Sequence, residues 1–311
     1  MKIRKIKQSV YHIYDCAYPL GNIELCARIK NSNVDSLLVL QEDDGPFASL
    51  RANGLWSYKR PVHDLHRLTL PEKFRINDFI RYEIRNDRSV GVYIKSTGTF
   101  DIDRLFTQLN ETRDFERPFP DDEQCCRPFR QGCKGNVVCH ATTYENFVKI
   151  AREKKLKSKV ILCGSGDAEY SKKENLGDPE DFLRYVMFAN GDCVAPEFVV
   201  ESRRRRKFLF PGEVVKNFFP GARLFYETKK LFALESKEFD GIHPVKIRDE
   251  HELMNGLVLI AMPGYDKLGN KMEYERNADA DVADMIEYFD NRGLTIPEWC
   301  NMIYERALQL L

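Results

Sequence analysis

The chain has 311 residues, of which 43% are hydrophobic and 31% are charged. Its length exceeds that of a usual single domain, so two domains are expected, and its composition excludes wholesale disorder. Lys and Arg number 48, and Asp and Glu also number 48. The net charge is therefore zero and does not attract the protein to nucleic acid or to a membrane, so any such attraction must come from a local charged patch.

The compartment is inferred from the first residues, the apolar runs and the cysteines. Residues 1–7 are basic but lead into a polar stretch rather than an apolar signal core, so secretion is not expected. The longest apolar candidate, residues 257–262, is far too short to span a bilayer. The nine cysteines lack regular spacing, which favours reduced thiols. We expect a soluble cytoplasmic protein without membrane association.

Residues 1–110 are predicted to form a mainly β N-terminal domain with few helices. Short apolar and β-branched runs at 23–27, 36–40 and 90–94 are separated by turn formers, most clearly at 43–46. No catalytic signature is found there. His63 and His66 have a spacing compatible with a metal on a helix, but the preceding proline and the lack of a nearby cysteine favour surface histidines.

Residues 111–135 are polar and broken by prolines, which predicts a linker. The segment carries Cys125, Cys126 and Cys133, and Cys139 follows it. Their spacing departs from the short ligand loops of structural zinc sites, so free thiols are expected and no metal site is predicted.

Residues 136–270 are predicted to form a small α+β domain. A buried strand at 136–140 leads straight into a helix, where Thr142 and Glu145 form a capping-box pattern and apolar residues recur at helical spacing until Lys155. The further strand candidates are 183–189, 198–200, 231–234, 244–247 and 257–262.

Residues 271–311 are predicted to form a C-terminal helical pair. The first helix carries an apolar stripe that ends at Gly293, and Thr295 with Glu298 caps the second. Such stripes more often pack on a core, although they also suit docking to a protein partner. The fold class is therefore α+β, with a β-rich first domain, an α+β second domain and two terminal helices.

Two motifs of the second domain resemble a known family. The strand Val-Val-Cys-His-Ala-Thr-Thr (137–143) and the helix that follows it resemble the first strand and helix of ADP-ribosyltransferases whose lead residue is histidine. The stretch Phe-Leu-Arg-Tyr-Val-Met-Phe (182–188) resembles the Tyr-Val-x-Phe stretch of the DarT family of DNA-modifying transferases. The resemblance covers much of one domain. It implies a mono-ADP-ribosyltransferase that uses NAD, modifies a nucleic acid and acts as a toxin or antiviral defence effector.

The chemistry of that family defines what the site needs. Cleavage of the bond between nicotinamide and ribose leaves an oxocarbenium-like sugar, as in glycoside cleavage. A polar side chain must fix the ribose, an aromatic surface must hold the nicotinamide, and a carboxylate must stabilise the developing charge. His140 suits the first task, and alternation along the strand then leaves Cys139 buried on the other side. The alternative for His140 is a strand histidine satisfied by the backbone.

The remaining cofactor contacts are assigned with one alternative each. Thr142 either binds the cofactor or only caps the helix. Tyr185 and Phe188 are candidates for stacking on the nicotinamide ring, although at least one of them must be core. Arg184 either contacts a cofactor phosphate or is an exposed strand charge.

The catalytic carboxylate is expected between residues 234 and 247. Glu238 is favoured, with Asp240 and Glu235 behind it. Another register puts His243 in that place and leaves the acid unassigned. A degenerate domain that binds a nucleotide without cleaving it would have a similar sequence.

A basic run follows the strand candidate at 198–200, and a loop there would present it beside the cleft. Its cations suit a phosphate backbone, and Phe208 and Phe210 suit stacking on unpaired bases. The run consists of Arg203, Arg204, Arg205, Arg206 and Lys207. A solvated surface run is the other interpretation. The alternative function is accordingly a non-catalytic nucleic-acid-binding protein.

Overall fold

The computed structural model describes residues 2–6, 9–16, 35–42, 48–52, 55–62, 64–95, 101–113, 137–165, 179–190, 195–205 and 221–261. Helices and sheets are mixed along these residues, so the α+β class is confirmed. The chain divides into two compact units. The N-terminal unit comprises Met1–Pro118, Gly177–Phe182 and Phe239–Ile242, and the C-terminal unit comprises Phe119–Leu176, Leu183–Glu238 and His243–Leu311.

The N-terminal unit contains a six-stranded sheet. Its strands are β1 (Lys2–Ile6), β2 (Ser9–Cys16), β3 (Ser36–Glu42), β4 (Ala48–Ala52), β5 (Leu55–Val62) and β6 (Val90–Lys95). They lie in the order β1-β2-β6-β3-β5-β4, with parallel pairing at the centre and an antiparallel pair at each edge. The strands predicted at 36–40 and 90–94 are confirmed within β3 and β6. The strand predicted at 23–27, the turn at 43–46 and His63 lie outside the described residues.

Two helices of this unit lie in the described residues, α1 (Leu70–Arg85) and α2 (Ile102–Asn110). At the start of α1 the Thr69 N–H donates to Glu72 Oε2 at 2.7 Å, one half of a capping box. The Asn77 side chain of α1 donates to the Leu109 carbonyl of α2 at 2.8 Å. This buried hydrogen bond from a side-chain amide holds the two helices together.

A part-buried ion-pair network, here called the Arg88 cluster, joins the end of α1 to the segment Gly177–Phe182 of the same unit. Arg88 Nε donates to Glu83 Oε2 at 2.6 Å, and its Nη1 donates to Asp181 Oδ1 at 2.6 Å. The Tyr82 hydroxyl donates to the other Asp181 oxygen. Burial opposes the charge of Asp181, but hydrogen bonds from Arg88 and Tyr82 outweigh it and lower the pKa of the carboxyl.

The C-terminal unit contains a six-stranded sheet and a two-stranded sheet. Its strands are β7 (Val137–Thr142), β8 (Lys155–Lys157), β9 (Tyr185–Asn190), β10 (Ala222–Glu227), β11 (Lys237–Glu238), β12 (Val245–Arg248), β13 (Glu250–Glu252) and β14 (Leu257–Ala261). The larger sheet has the order β11-β12-β9-β7-β10-β14 and is antiparallel throughout. The strand β13 pairs with β8. The strand that carries His140 therefore lies at the centre of the larger sheet.

Four helices accompany these sheets in the described residues: α3 (Tyr144–Glu153), α4 (Lys159–Gly164), α5 (Ala195–Arg205) and α6 (Thr228–Phe232). A 3₁₀ helix, Glu180–Arg184, precedes β9. The strands predicted near 183–189, 244–247 and 257–262 are confirmed as β9, β12 and β14. The strands predicted at 198–200 and 231–234 are wrong, because the first segment lies within α5 and the second begins in α6 and continues as a turn.

Residues 114–136 and 262–311 lie outside the described residues, and with them the predicted linker, its three cysteines and the C-terminal helical pair. Within the part of the chain that the structure describes, no helix has the length and apolar character needed to cross a membrane.

Candidate functional site

The strand β7 passes directly into α3, as predicted, but the helix begins one residue later than the motif indicates. Thr143 is the N-cap, and its hydroxyl accepts the Asn146 N–H at 3.1 Å. The predicted cap at Thr142 is wrong, because this residue still pairs with Ala222 of β10 as the last residue of the strand. Thr142 is buried on the same side of β7 as His140, two residues along.

The register of the larger sheet divides the predicted site residues between its two faces. His140 lies opposite Leu224, and Phe188 lies opposite Val245. Because directly opposed residues share a face, the His140 face carries His140, Phe188 and Tyr226, whose rings are in contact through Phe188. The other side, here called the Lys246 face, carries Cys139, Tyr185, Arg223, Glu238 and Lys246.

The imidazole of His140 is oriented by the neighbouring strand. Its Nδ1 lies 3.0 Å from the Met187 carbonyl oxygen, which can only accept, so Nδ1 carries the proton and Nε2 keeps a lone pair. The backbone thus satisfies one nitrogen of the ring, as the alternative interpretation required, and leaves the other to a ligand. The side chain is half-buried.

The charge state of His140 follows from its surroundings. Desolvation lowers the pKa of the imidazole, the bond to Met187 partly offsets this, and electrostatic interactions with Arg203 and His251 lower the pKa further. The ring is therefore neutral at neutral pH. Its Nε2 can accept a hydrogen bond from a hydroxyl without adding a positive charge to the site.

Behind His140, the aromatic residues of the same face form a closed cluster. Phe188 and Tyr226 are fully buried, with ring centroids 5.3 Å apart, and the ring of His251 from β13 contacts both. Phe188 is thus a core residue, which corrects its assignment as a cofactor contact: its ring is enclosed by other rings. Of the two predicted stacking residues, Tyr185 is the half-buried one.

On the Lys246 face, Glu238 lies directly opposite Lys246 in the sheet. Lys246 is fully buried, and its Nζ lies 4.4 Å from the centroid of the Tyr185 ring, within the range of a cation–π contact. Glu238 and Tyr185 therefore share a face with a buried cation. The predicted working set of His140, Tyr185 and Glu238 does not converge on one face of the sheet.

The other candidates for the acid are distributed differently. Asp240 is fully buried, and its Oδ1 accepts the Ile242 N–H at 2.9 Å within the segment that clusters with the N-terminal unit. Glu235 is exposed. His243 is half-buried and lies two residues before β12.

The described part of the basic run lies on a helix, which corrects its predicted placement in a loop after a strand. Arg203, Arg204 and Arg205 form the last turn of α5, which packs against β7. The carboxylate of Glu201 is fully buried and accepts from Arg204 Nε at 2.7 Å and from Arg205 Nε at 2.5 Å. Burial opposes the charge of Glu201, but these two arginines lower its pKa.

Three further charged residues were predicted to contact the cofactor or the nucleic acid. Arg184 is exposed at the end of the 3₁₀ helix, before β9 rather than within a strand. Arg206 and Lys207 lie outside the described residues, as do Phe208 and Phe210.

Two buried cations were not predicted. Arg223 is 1% exposed, its Nη2 donates to Cys139 Sγ at 3.4 Å, and its guanidinium lies 5.1 Å from the centroid of the Phe225 ring. Cys139 is itself fully buried, as alternation predicted. One feature of the sequence could have indicated that Arg223 and Lys246 are buried. Their strands carry apolar residues at both odd and even positions, which indicates a sheet covered on both faces.

Among the described residues, no group of three His, Cys, Asp or Glu side chains is arranged to hold a metal ion. In comparisons with known proteins, no family model matches the chain and no curated protein matches it significantly.

Proposed function

We propose that the C-terminal unit binds NAD beside His140 and transfers its ADP-ribose to a nucleic acid, as the resemblance to histidine-led ADP-ribosyltransferases implies. The observation that carries the proposal is the orientation of His140. Its Nδ1 is held by Met187 on the adjacent strand, and its Nε2 lone pair belongs to a neutral ring that is half-buried. The resemblance extends the proposal to the role of a toxin or antiviral defence effector.

The chemistry assigned to His140 is positional. A ribose hydroxyl of NAD donates to Nε2 and is thereby fixed relative to the sheet. The bond between the ribose carbon and the nicotinamide nitrogen then breaks, its electron pair leaves with nicotinamide, and an oxygen or nitrogen of the acceptor forms the new bond and releases its proton. Because the imidazole is neutral, it adds no charge that opposes the developing oxocarbenium ion.

The acceptor is proposed to be a nucleic acid because the last turn of α5 carries three arginines and the sequence continues with two more cations. This helix packs against β7, the strand of His140. Cations beside the NAD site are placed to attract a phosphate backbone.

A second function, binding of the nucleotide without cleavage, is favoured by one observation. Glu238, the proposed acid, lies opposite Lys246 on the face away from His140. A carboxylate that cannot reach the scissile ribose cannot stabilise its charge, so the domain would then serve a nucleic-acid-binding protein as a nucleotide sensor.

The two functions are separated by incubating the protein with NAD and mixed DNA and RNA while released nicotinamide and labelled acceptor are measured. Transfer predicts both products in the wild type, their loss in Glu238→Gln with NAD binding retained, and full activity in Glu153→Gln, a matched change at an exposed residue of α3. Binding of NAD with neither product supports the second function. Absence of NAD binding overturns both functions.

A further inference from the structure

His251 connects the two sheets of the C-terminal unit. It belongs to β13, where it pairs with Leu156 of β8, and it is 3% exposed. Its ring meets the rings of Phe188 and Tyr226 edge-on, at centroid distances of 5.8 and 5.2 Å. The smaller sheet therefore contributes one polar ring to the aromatic cluster behind His140.

The position of the His251 ring is fixed by a hydrogen bond as well as by these contacts. Its Nε2 donates to the Asn255 carbonyl, which can only accept, at 2.9 Å. The carbonyl of the next residue, Gly256, accepts the Glu227 N–H at 2.8 Å, and Glu227 directly follows Tyr226 in β10. The turn that holds the ring is thus bonded to the strand whose tyrosine the ring contacts.

Phe188 links this ring to His140. Its ring centroid lies 5.9 Å from that of the imidazole, with an angle of 57° between the planes. The bond from Nδ1 to the Met187 carbonyl fixes one atom of the imidazole but leaves the ring able to tilt. Contact with Phe188 limits this tilt, and Phe188 is itself fully buried against His251 and Tyr226. The direction of the Nε2 lone pair of His140 therefore depends on His251 through one intervening ring.

We propose that His251 is a positioning residue of the NAD site, which holds Phe188 where it directs Nε2 of His140 at a ribose hydroxyl. The inference rests on the proposed NAD binding and adds to it a residue that acts without touching the dinucleotide. The effect is steric at pH 8, where both imidazoles are neutral because the pKa of each lies below 6.5. A displaced acceptor weakens its hydrogen bond because the geometry of the bond is strict.

The test measures NAD affinity by calorimetric titration and the imidazole of His140 by ¹⁵N–¹H correlation spectra without NAD, both on the full chain at pH 8. His251→Leu removes the ring and the bond to Asn255, and we expect it to weaken NAD about tenfold and to shift the His140 resonances. His251→Phe keeps a ring against Phe188 and is expected to weaken NAD less than His251→Leu. Leu231→Ala, a buried truncation in α6, controls for lost stability and is expected to change neither quantity.

A double-mutant cycle with Phe188→Leu tests the path from His251 to His140. If His251 acts through Phe188, the double variant should bind NAD about as weakly as Phe188→Leu alone. Losses that multiply instead would show independent effects and overturn the inference. If His251→Leu does not fold, His251→Gln takes its place, since it removes the ring and keeps a donor for Asn255.

The other outcomes also decide between the explanations. Unchanged NAD affinity in His251→Leu overturns the inference while the proposed function stands. Weaker NAD binding with unshifted His140 resonances overturns it too, because the imidazole would not have moved. Equal weakening in Leu231→Ala has the same consequence, since lost stability would then explain the effect. A wild type that binds no NAD overturns the inference together with the proposed function.

Discussion

The Arg88 cluster offers a direct test of the fold, because it joins α1 to a segment about ninety residues further along the chain. Substitution of Arg88 by Met keeps much of the side-chain volume and removes the cation. The side chain of Glu83 is 1% exposed and receives Nε and Nη2 of Arg88 at 2.6 and 2.9 Å. The side chain of Asp181 is 19% exposed and also bonds Tyr82.

The size of the effect follows from these exposures. Glu83 would be left as a buried charge, and removal of one partner from a buried ion pair costs about 3–5 kcal/mol. Asp181 retains some water and the Tyr82 hydroxyl, so its loss adds little. We expect Arg88→Met to lower the free energy of unfolding by about 3–4 kcal/mol. At a denaturant dependence of about 2 kcal/mol per molar, the urea midpoint then falls by about 1.5–2 M.

Urea titrations followed by circular dichroism measure this, with Arg85→Met at an exposed residue of α1 as the control, expected within about 0.5 kcal/mol of the wild type. The double variant Glu83→Gln with Arg88→Met should recover part of the loss, since no buried charge remains. The folded pKa of Asp181 lies below its usual value of 3.8, so its share of stability is present at neutral pH and is lost in acid below that value. An Arg88→Met variant as stable as Arg85→Met refutes this reasoning.

Three further predictions concern the C-terminal unit. The folded pKa values of His140 and His251 lie below 6.5, so the free energy of unfolding should fall as pH drops below 6.5; denaturation midpoints unchanged between pH 8 and 5 would contradict this. Gly221 has φ of +82°, and an added Cβ would lie 2.2 Å from the Thr142 oxygen, so Gly221→Ala should destabilise the protein by more than about 2 kcal/mol in urea titrations, whereas Gly164→Ala, with open space, should not. Thr143→Ala should cost about 1 kcal/mol by the same assay, and a neutral effect would place the N-cap elsewhere.

The elements predicted from the sequence were those with a local signal. Apolar β-branched runs indicated β3, β6 and β14. The strand-to-helix transition after β7 was indicated by an apolar run that gives way to a capping-box pattern and apolar residues at helical spacing. The helix α1 was missed although Thr69 and Glu72 form a capping-box pattern ahead of a helical apolar repeat. The segment 198–200 was misassigned because its valines favour strands, while the ion pairs of Glu201 at helical spacing carried the opposite signal.

The candidate site was only partly accessible to sequence reasoning. Alternation within one strand placed Cys139 and His140 on opposite sides of β7. The relation of Glu238 to His140 depends on three successive strand pairings, β11 with β12, β12 with β9 and β9 with β7, and a one-residue difference in register moves a side chain to the other face. The strand of Glu238 has two residues and therefore no periodicity of its own. Burial of Lys246 likewise depends on what covers the sheet.

The central claim is that NAD binds at Nε2 of His140, and imidazole ¹⁵N–¹H correlation spectra of the labelled protein test it most directly. At pH 7 the spectrum should show a neutral ring protonated at Nδ1, and NAD should shift the Nε2 resonance while Nδ1, bonded to Met187, changes little. His66, in the N-terminal unit, serves as the internal reference and should not move. An unchanged Nε2 resonance of His140 at saturating NAD would contradict the account.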